Sequence, residues 1–541
     1  MAISSPSPRR SPVRRWWLWV PALVLAIVAA AFATALFEWS GASLQGDPTA
    51  LAHLTSQPLA GSIESARAFG PTGKQIPLSV HNGRLTPEKK LTPGERVSVE
   101  VVVKRPGWLS WALGKQRRET LTLHAPVAHV KERWLTVSQG SPVKVSFDQP
   151  VARVAYGDST RLTHRRLSTP SSTLDLGSRA AAGSLSVAAA VRSWERLGHP
   201  IPVSWFPQAG SAAAIANPAP GSKITPSTPL RLTFSQPVDD VLGSALPKLT
   251  PAVPGRWHHA DSHTLVFTPS GFGAPFGATV RVNLPKPIAV RGPAGEGTAT
   301  TKQVSWTVPA GSTLRLQQLL AEADYLPVSW TASGTDVAHT PAAEVSAATD
   351  PPQGSFAWRY GNTPPELRKM WSEGQPNELT RGALMMFENE RGLTADGVAG
   401  PQVWKALLNA AITGKRHSGG YSYVYVHRNI PQLLTLWHNG RTVLTSPGNT
   451  GVPAAPTQLG TFPVFEHIPV GTMSGTNPDG SKYHDPGIKW ISYFNGGDAL
   501  HAFNRASFGT PQSLGCVELP LAAAAKVWPY TPIGTLVTIE N

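Results

Sequence analysis

Ser513-Leu514-Gly515-Cys516-Val517-Glu518-Leu519 holds the single cysteine of a 541-residue chain, fifteen residues after His501. One cysteine has no partner within its own chain, so a structural bridge is excluded. Three readings remain: an inert packed thiol, an intermolecular bridge, or a reactive group. A free thiol is only a few per cent thiolate near neutral pH, so a cysteine nucleophile needs a base to activate it. It also needs backbone N–H groups for the oxyanion that its attack creates. Cys516 is therefore the candidate nucleophile and His501, the only histidine in the last fifty residues, the candidate general base. Ser513, Leu514 and Gly515 form the candidate oxyanion turn.

The surroundings read as β-rich. Tyr423–Val426 and Leu433–Trp437 are strand-like, Asn439-Gly440 is a hairpin turn, and Thr442–Leu444 continues the hairpin. A short Ala-rich helix starts near Leu521, and Thr535–Ile539 closes the chain as a strand. Upstream, 356–414 is helical by periodicity. Leu367, Met370 and Trp371 share one face, as do Leu384 and Phe387, and Pro401 opens a helix with Val403, Trp404, Leu407 and Leu408 on one stripe. The run Gly382 to Phe387 followed by Gly392-Leu393-Thr394-Ala395-Asp396-Gly397 and Trp404 resembles the three-helix peptidoglycan-binding domain. Glu388 stands where that family usually has Gln.

Before an Ala/Thr/Ser/Pro-rich linker at 331–355, an internal repeat marks two modules. Ser141-Pro142-Val143-Lys144-Val145-Ser146-Phe147-Asp148-Gln149-Pro150-Val151 matches Thr228-Pro229-Leu230-Arg231-Leu232-Thr233-Phe234-Ser235-Gln236-Pro237-Val238. Each copy reads as a strand stopped by Gln-Pro. Pro202-Val203-Ser204-Trp205 and Pro327-Val328-Ser329-Trp330 suggest similar module ends. The modules, 75–208 and 209–330, resemble bacterial Ig-like β-sandwiches and are expected to be spacers. Val97, Val99, Val101 and Val103 alternate as in a half-buried strand. Residues 41–74 read as a linker. His258, His259 and His263 lie against a strand-like segment and are not expected to hold a metal; no cofactor is expected either.

At the N-terminus Arg9, Arg10, Arg14 and Arg15 precede an apolar stretch from Trp16 to Phe37, which would reach about 33 Å as a helix. Residues 1–40 are therefore expected to be a cytoplasmic tail and membrane helix, with the rest outside the cell. Trp16, Trp17, Trp19 and Trp39 are expected to sit at the interfaces. A cleaved signal peptide, with Ala33-Thr34-Ala35 at its end, is the competing reading. The net charge of +15 is densest between Arg84 and Arg133, spread through apparent strands; it reads as a solvated basic face, and no nucleic-acid partner is expected.

His501 with Ser513-Leu514-Gly515-Cys516-Val517-Glu518-Leu519 resembles the active-site signature of L,D-transpeptidases, and Thr450-Gly451…Pro456-Thr457…Gly460-Thr461-Phe462 is similar to a second stretch of that family. The resemblance covers 421–541. It implies a β-rich catalytic domain in which Cys516 attacks a peptidoglycan stem-peptide amide, His501 serves as base and acid, and the thioester passes to a neighbouring stem as a 3→3 cross-link. It also makes the thiol a target for carbapenems. The fold expected is thus multidomain and mainly β: a membrane helix, two Ig-like modules, a three-helix domain and a transpeptidase domain. Ala502, Leu514 and Glu518 depart from the pattern. Leu514 and Glu518 keep a second reading open, a non-catalytic wall-binding protein, and a third is an L,D-carboxypeptidase that passes the same acyl group to water.

Overall fold

The computed structural model describes residues 19–541 apart from 139, 159, 210, 298 and 299. The basic tail with Arg9, Arg10, Arg14 and Arg15, and the tryptophans Trp16 and Trp17, lie outside the described residues. The chain divides into two compact units, Met1–Gly210 and Ser211–Asn541.

The first unit begins with a 20-residue apolar helix, Val20–Trp39, long enough to cross a bilayer and with none of its residues buried by protein. Two four-stranded antiparallel sheets follow. One contains Ala42–Gly46, Ala52–Ser56, Leu78–His81 and Arg84–Pro87; the other contains Ile63–Phe69, Gln75–Ile76, Arg96–Lys104 and Gln116–His124. Val97, Val99, Val101 and Val103 all point into the core, as their alternation requires. The linker expected at 41–74 is instead three strands. Its small apolar residues Ala42, Leu51, Ala52, Leu54 and Ala68 pack in the core containing the valine row. Their short spacing gave too weak a period to read from sequence.

Next comes a five-stranded sheet from Trp134 to Pro207, which holds the first repeat copy. There the strand Pro142–Gly157 runs through Gln149-Pro150, with a register shift between Ser146 and Val151. A bulge accommodates the N–H that proline lacks, so Gln-Pro does not end the strand. In the second copy the strand Leu230–Phe234 does end, and a short helix Val238–Leu242 follows. Phe147 and Phe234 are core residues in both.

The second unit opens with a seven-stranded sheet whose long strand Thr279–Arg291 pairs with three neighbours. Its core continues into a helical layer built from α1 (Thr313–Glu322), α2 (Pro341–Thr349), α3 (Glu378–Glu390) and α4 (Pro401–Thr413). Leu367, Leu384, Phe387, Val403, Trp404, Leu407 and Leu408 are buried, and Phe276 packs on Trp404 at 5.4 Å between ring centroids. Asn377 caps α3 by accepting the Thr380 N–H at 2.9 Å. The expected 331–355 linker contains α2 and part of a hairpin, Val328–Ala332 with Gly354–Trp358. Pro327–Trp330 therefore belongs to this helical layer and does not end a sandwich.

The last 120 residues fold as two sheets. β1 (Ser422–His427), β2 (Leu433–His438), β3 (Arg441–Pro447), β4 (Gly460–Pro463) and β9 (Leu536–Glu540) form one, in the order β3-β2-β1-β9-β4. β5 (Glu466–Thr476), β6 (Lys482–Asn495), β7 (Asp498–Ala502) and β8 (Val517–Leu519) form the other, in sequence order. Asn439 and Gly440 both take positive φ, 44° and 80°, which makes the β2–β3 turn that Asn-Gly favours. Helix α5 (Leu521–Val527) leads from β8 towards the terminal strand.

Candidate active site

β7 and β8 run parallel, with Leu500 opposite Val517, His501 opposite Glu518 and Ala502 opposite Leu519. Cys516 precedes β8 by one residue. By strand alternation it shares a sheet face with Glu518, and so with His501 across the ladder. The thiol donates to the Gly497 carbonyl at 3.6 Å, and Cys516 packs against the small core of Ile488, Ile491 and Ala499. Burial pushes it up to about 12; the Asp498 and Glu518 carboxylates add to the rise, and a hydrogen bond from the Ala499 amide opposes it. The resting group is a neutral thiol.

His501 is buried, and its Nδ1 donates to the Ala502 carbonyl at 2.9 Å. That bond places the ring proton on Nδ1 and leaves Nε2 as the basic nitrogen. Burial also lowers the pKa of the ring, so it is neutral at pH 7. Among the described residues no hydrogen bond joins His501 to Cys516 in this resting arrangement. Catalytic hydrogen bonds are commonly long before substrate arrives.

The turn is held by Ser513, whose Oγ donates to the Cys516 carbonyl at 2.6 Å and accepts the Gly515 N–H at 3.3 Å. The Gly515 amide is thus engaged within the turn. Gly515 has φ of 121°, and a Cβ there would lie 2.2 Å from Asp498 Oδ1. Only glycine fits. Leu514 is half-buried.

The second sequence motif docks directly on this turn. Val452 N–H donates to Ser513 O at 2.9 Å, and Gln512 and Ser513 donate to Thr450 O at 2.9 and 3.1 Å. Asn449 and Glu518 exchange both backbone bonds at 2.9 Å. Thr457 Oγ1 accepts the Gly451 N–H at 2.9 Å, and a Cβ on Gly451 would come within 2.1 Å of Ala455 O. The two motifs, some 50 residues apart in sequence, make one structure.

Three contributors were not identified from sequence. Arg505 holds the buried Glu518 carboxylate with two bonds, Nε to Oε2 at 2.9 Å and Nη2 to Oε1 at 2.7 Å, and also reaches Gln512 O at 3.2 Å. Asn449 Oδ1 accepts the Gly509 N–H at 2.9 Å, pinning the loop between β7 and the turn. Gln432 Oε1 accepts the Thr450 N–H at 2.8 Å. The adjacency of Asn449 to Thr450-Gly451 was a usable signal; nothing local marked Arg505 or Gln432. A cleft of about 660 Å³ lies beside the site, lined by Ile488, Phe503, Phe508 and Leu521, with Asp485 and Lys489 as its charged groups. Among the described residues no group of three or more His, Cys, Asp or Glu is placed to hold a metal ion.

A family model for the YkuD L,D-transpeptidase catalytic domain matches residues 421–539. No curated protein matches the chain. Among solved structures, an L,D-transpeptidase from Mycobacterium smegmatis is similar at 13% identity and a TM-score of 0.21, covering 61% of this chain and 99% of that one. The catalytic domain of an L,D-transpeptidase from E. faecium is similar at 23% identity and a TM-score of 0.20, covering 22% of this chain and 95% of that one. An L,D-transpeptidase 3 from Mycobacterium tuberculosis, solved with a faropenem-derived adduct, shares 13% identity with a TM-score of 0.21, covering 61% and 98%.

Proposed function

We propose, from an L,D-transpeptidase-type catalytic domain in residues 421–539, that Cys516 and His501 carry out acyl transfer on peptidoglycan stem peptides. The observation that carries the reading is the His501 tautomer. With Nδ1 committed to the Ala502 carbonyl, Nε2 is the ring nitrogen left to act as a base. In the first step Nε2 takes the thiol proton while Sγ bonds to the donor carbonyl carbon. The amide C–N bond then breaks, and the same proton passes to the leaving amine. In the second step an acceptor amine attacks the thioester, gives its proton to Nε2, and regenerates the thiol. A thiol held near 12 makes the base obligatory, because almost no thiolate exists beforehand.

The rest of the chain fits delivery of this chemistry to a wall. Val20–Trp39 anchors the protein in the cell membrane with its N-terminus inside. The β modules, read as Ig-like, space the enzyme from the lipid, and the helical layer with the Asp396-Gly397 turn binds peptidoglycan. The product is a 3→3 cross-link. The non-catalytic reading drew on Leu514 and Glu518; the Arg505 ion pair gives Glu518 a structural partner, which supports the catalytic reading at that position.

Intact-mass spectrometry after carbapenem treatment tests the nucleophile. The wild type is expected to gain one adduct and Cys516→Ala none; an unmodified wild type, or an adduct on Cys516→Ala, would refute it. Muropeptide analysis separates the acceptors: 3→3 dimers identify the transferase, whereas tripeptide alone identifies the carboxypeptidase.

A further inference from the structure

Between strands Arg96–Lys104 and Gln116–His124 lies a seven-residue helix, Gly107–Leu113. Leu109 is buried against the sheet, whereas Trp108 and Trp111, three residues apart on one face, are 60% and 86% exposed. Ile63, opposite Val103 at the same end of the sheet, is 42% exposed. Tryptophan is costly to leave in water, and its amphipathic ring favours a lipid headgroup layer.

The position of this helix identifies the covering surface. Arg105 is buried, and its Nε donates to Oγ of Ser40, the C-cap of helix Val20–Trp39, at 3.0 Å. The same guanidinium reaches the Leu113 carbonyl at the end of the tryptophan helix, with Gly114 O at 3.5 Å and Gln116 O at 3.4 Å. Arg105 and Arg117 both lie over the Phe37 ring, at 5.2 and 4.3 Å from its centroid. Leu59 N–H donates to Trp39 O at 2.9 Å. One arginine therefore ties the C-cap of the apolar helix to the C-terminal end of the helix that carries the two exposed tryptophans. Lys104, Lys115 and Arg118 are exposed around them, with stems long enough to reach phosphates.

We propose that Gly107–Leu113 rests on the outer membrane–water interface, with Trp108 and Trp111 seated among lipid headgroups, so that the two four-stranded sheets that follow the apolar helix lie on the bilayer surface. This rests on Val20–Trp39 being a membrane anchor, and the test separates the two ideas. The full chain, with Cys516→Ser and a nitroxide on Trp111→Cys, is reconstituted in phosphatidylcholine–phosphatidylglycerol vesicles. Its collisional relaxation by oxygen is compared with that by a water-soluble nickel chelate. A second label on Lys74→Cys, roughly 20 Å away along the same sheet, serves as the aqueous reference. The oxygen-to-nickel ratio is expected to be several-fold higher at 111 than at 74, and a label on Trp108→Cys is expected to behave likewise. Equal ratios in a chain that floats with the vesicles overturn the surface while leaving the anchor. A chain that does not float overturns both. Shielding at 111 accompanied by dipolar broadening at low protein-to-lipid ratio would indicate a second copy of the chain instead, and overturn the lipid assignment.

Discussion

Two buried glutamates beside glycine turns, Glu388 in the helical layer and Glu518 in the catalytic domain, resolve the same problem in different ways. Both stand where the resembled families carry another residue. Glu518 is charged and paired, gripped through both oxygens by Arg505. Glu388 accepts the Gly397 N–H at 2.8 Å, and its Oε1 has no hydrogen-bond partner among the described residues. Burial pushes Glu388 up to about 7, so it meets the cost of enclosure by taking a proton. A carboxylate in a buried position thus reveals little until its neighbours are known: one needs a cation, the other a neutral isostere.

Removing the cation should have the largest effect. Arg505→Ala leaves Glu518 enclosed without its cation, and the catalytic domain is expected to lose about 3 kcal/mol, near the low end for breaking a buried pair because Arg505 is partly exposed. Cys516 is the chain's only thiol, so its denaturant-dependent maleimide labelling reads this domain alone. Glu518→Gln added to Arg505→Ala should restore most of the loss. A double variant no better than the single would show that the pair is not its origin.

Glu388→Gln should shift stability in the opposite direction. At pH 8 the wild-type carboxyl is mostly ionised in the folded state, above its raised value of about 7, so the variant is expected to be more stable by about 1–3 kcal/mol. The gain should shrink as pH falls through 7 and be gone by pH 4, where the acid is protonated folded and unfolded. Hydrogen exchange of the α3 amides would measure it. Equal protection at pH 8 would mean that Glu388 is better solvated than its burial indicates.

A smaller effect is expected at His417, where the proton sits on the base of the pair. Its Nδ1 bonds Glu390 Oε1 at 2.6 Å and its Nε2 bonds Gly420 O at 3.0 Å, and the Glu390 bond raises its pKa. A raised histidine stabilises fully below the ordinary value of 6.5 and loses that contribution as pH climbs through the folded value. His417→Gln should therefore cost about 1 kcal/mol at pH 6 and markedly less at pH 9, in the same exchange experiment. A cost independent of pH would assign His417 a packing role only.

Legibility in the sequence followed the range of the interaction. The Val97–Val103 alternation, the Asn439-Gly440 turn and the α4 stripe from Val403 to Leu408 were readable because each is a local period or a local backbone demand. The strands within 41–74 were not, since Ala42, Ala52 and Ala68 become core only by facing valines that lie far along the chain. The Gln-Pro stop failed at Pro150 for a related reason: a neighbouring strand tolerated a bulge that the dipeptide itself could not foretell.

At the candidate site the sequence by itself determined the chemistry on offer: one thiol, one nearby histidine and a glycine-containing turn beside the thiol. These depend on residue identity and on spacing of a few positions, which the chain carries wherever it folds. Only the tertiary structure decided that Thr450-Gly451 clamps the Ser513 turn, that the Ala502 carbonyl fixes the His501 tautomer, and that Arg505 neutralises Glu518. Hydrogen bonds and charge pairing act over a few ångströms in space, and the partners they select lie at sequence distances that no local pattern records.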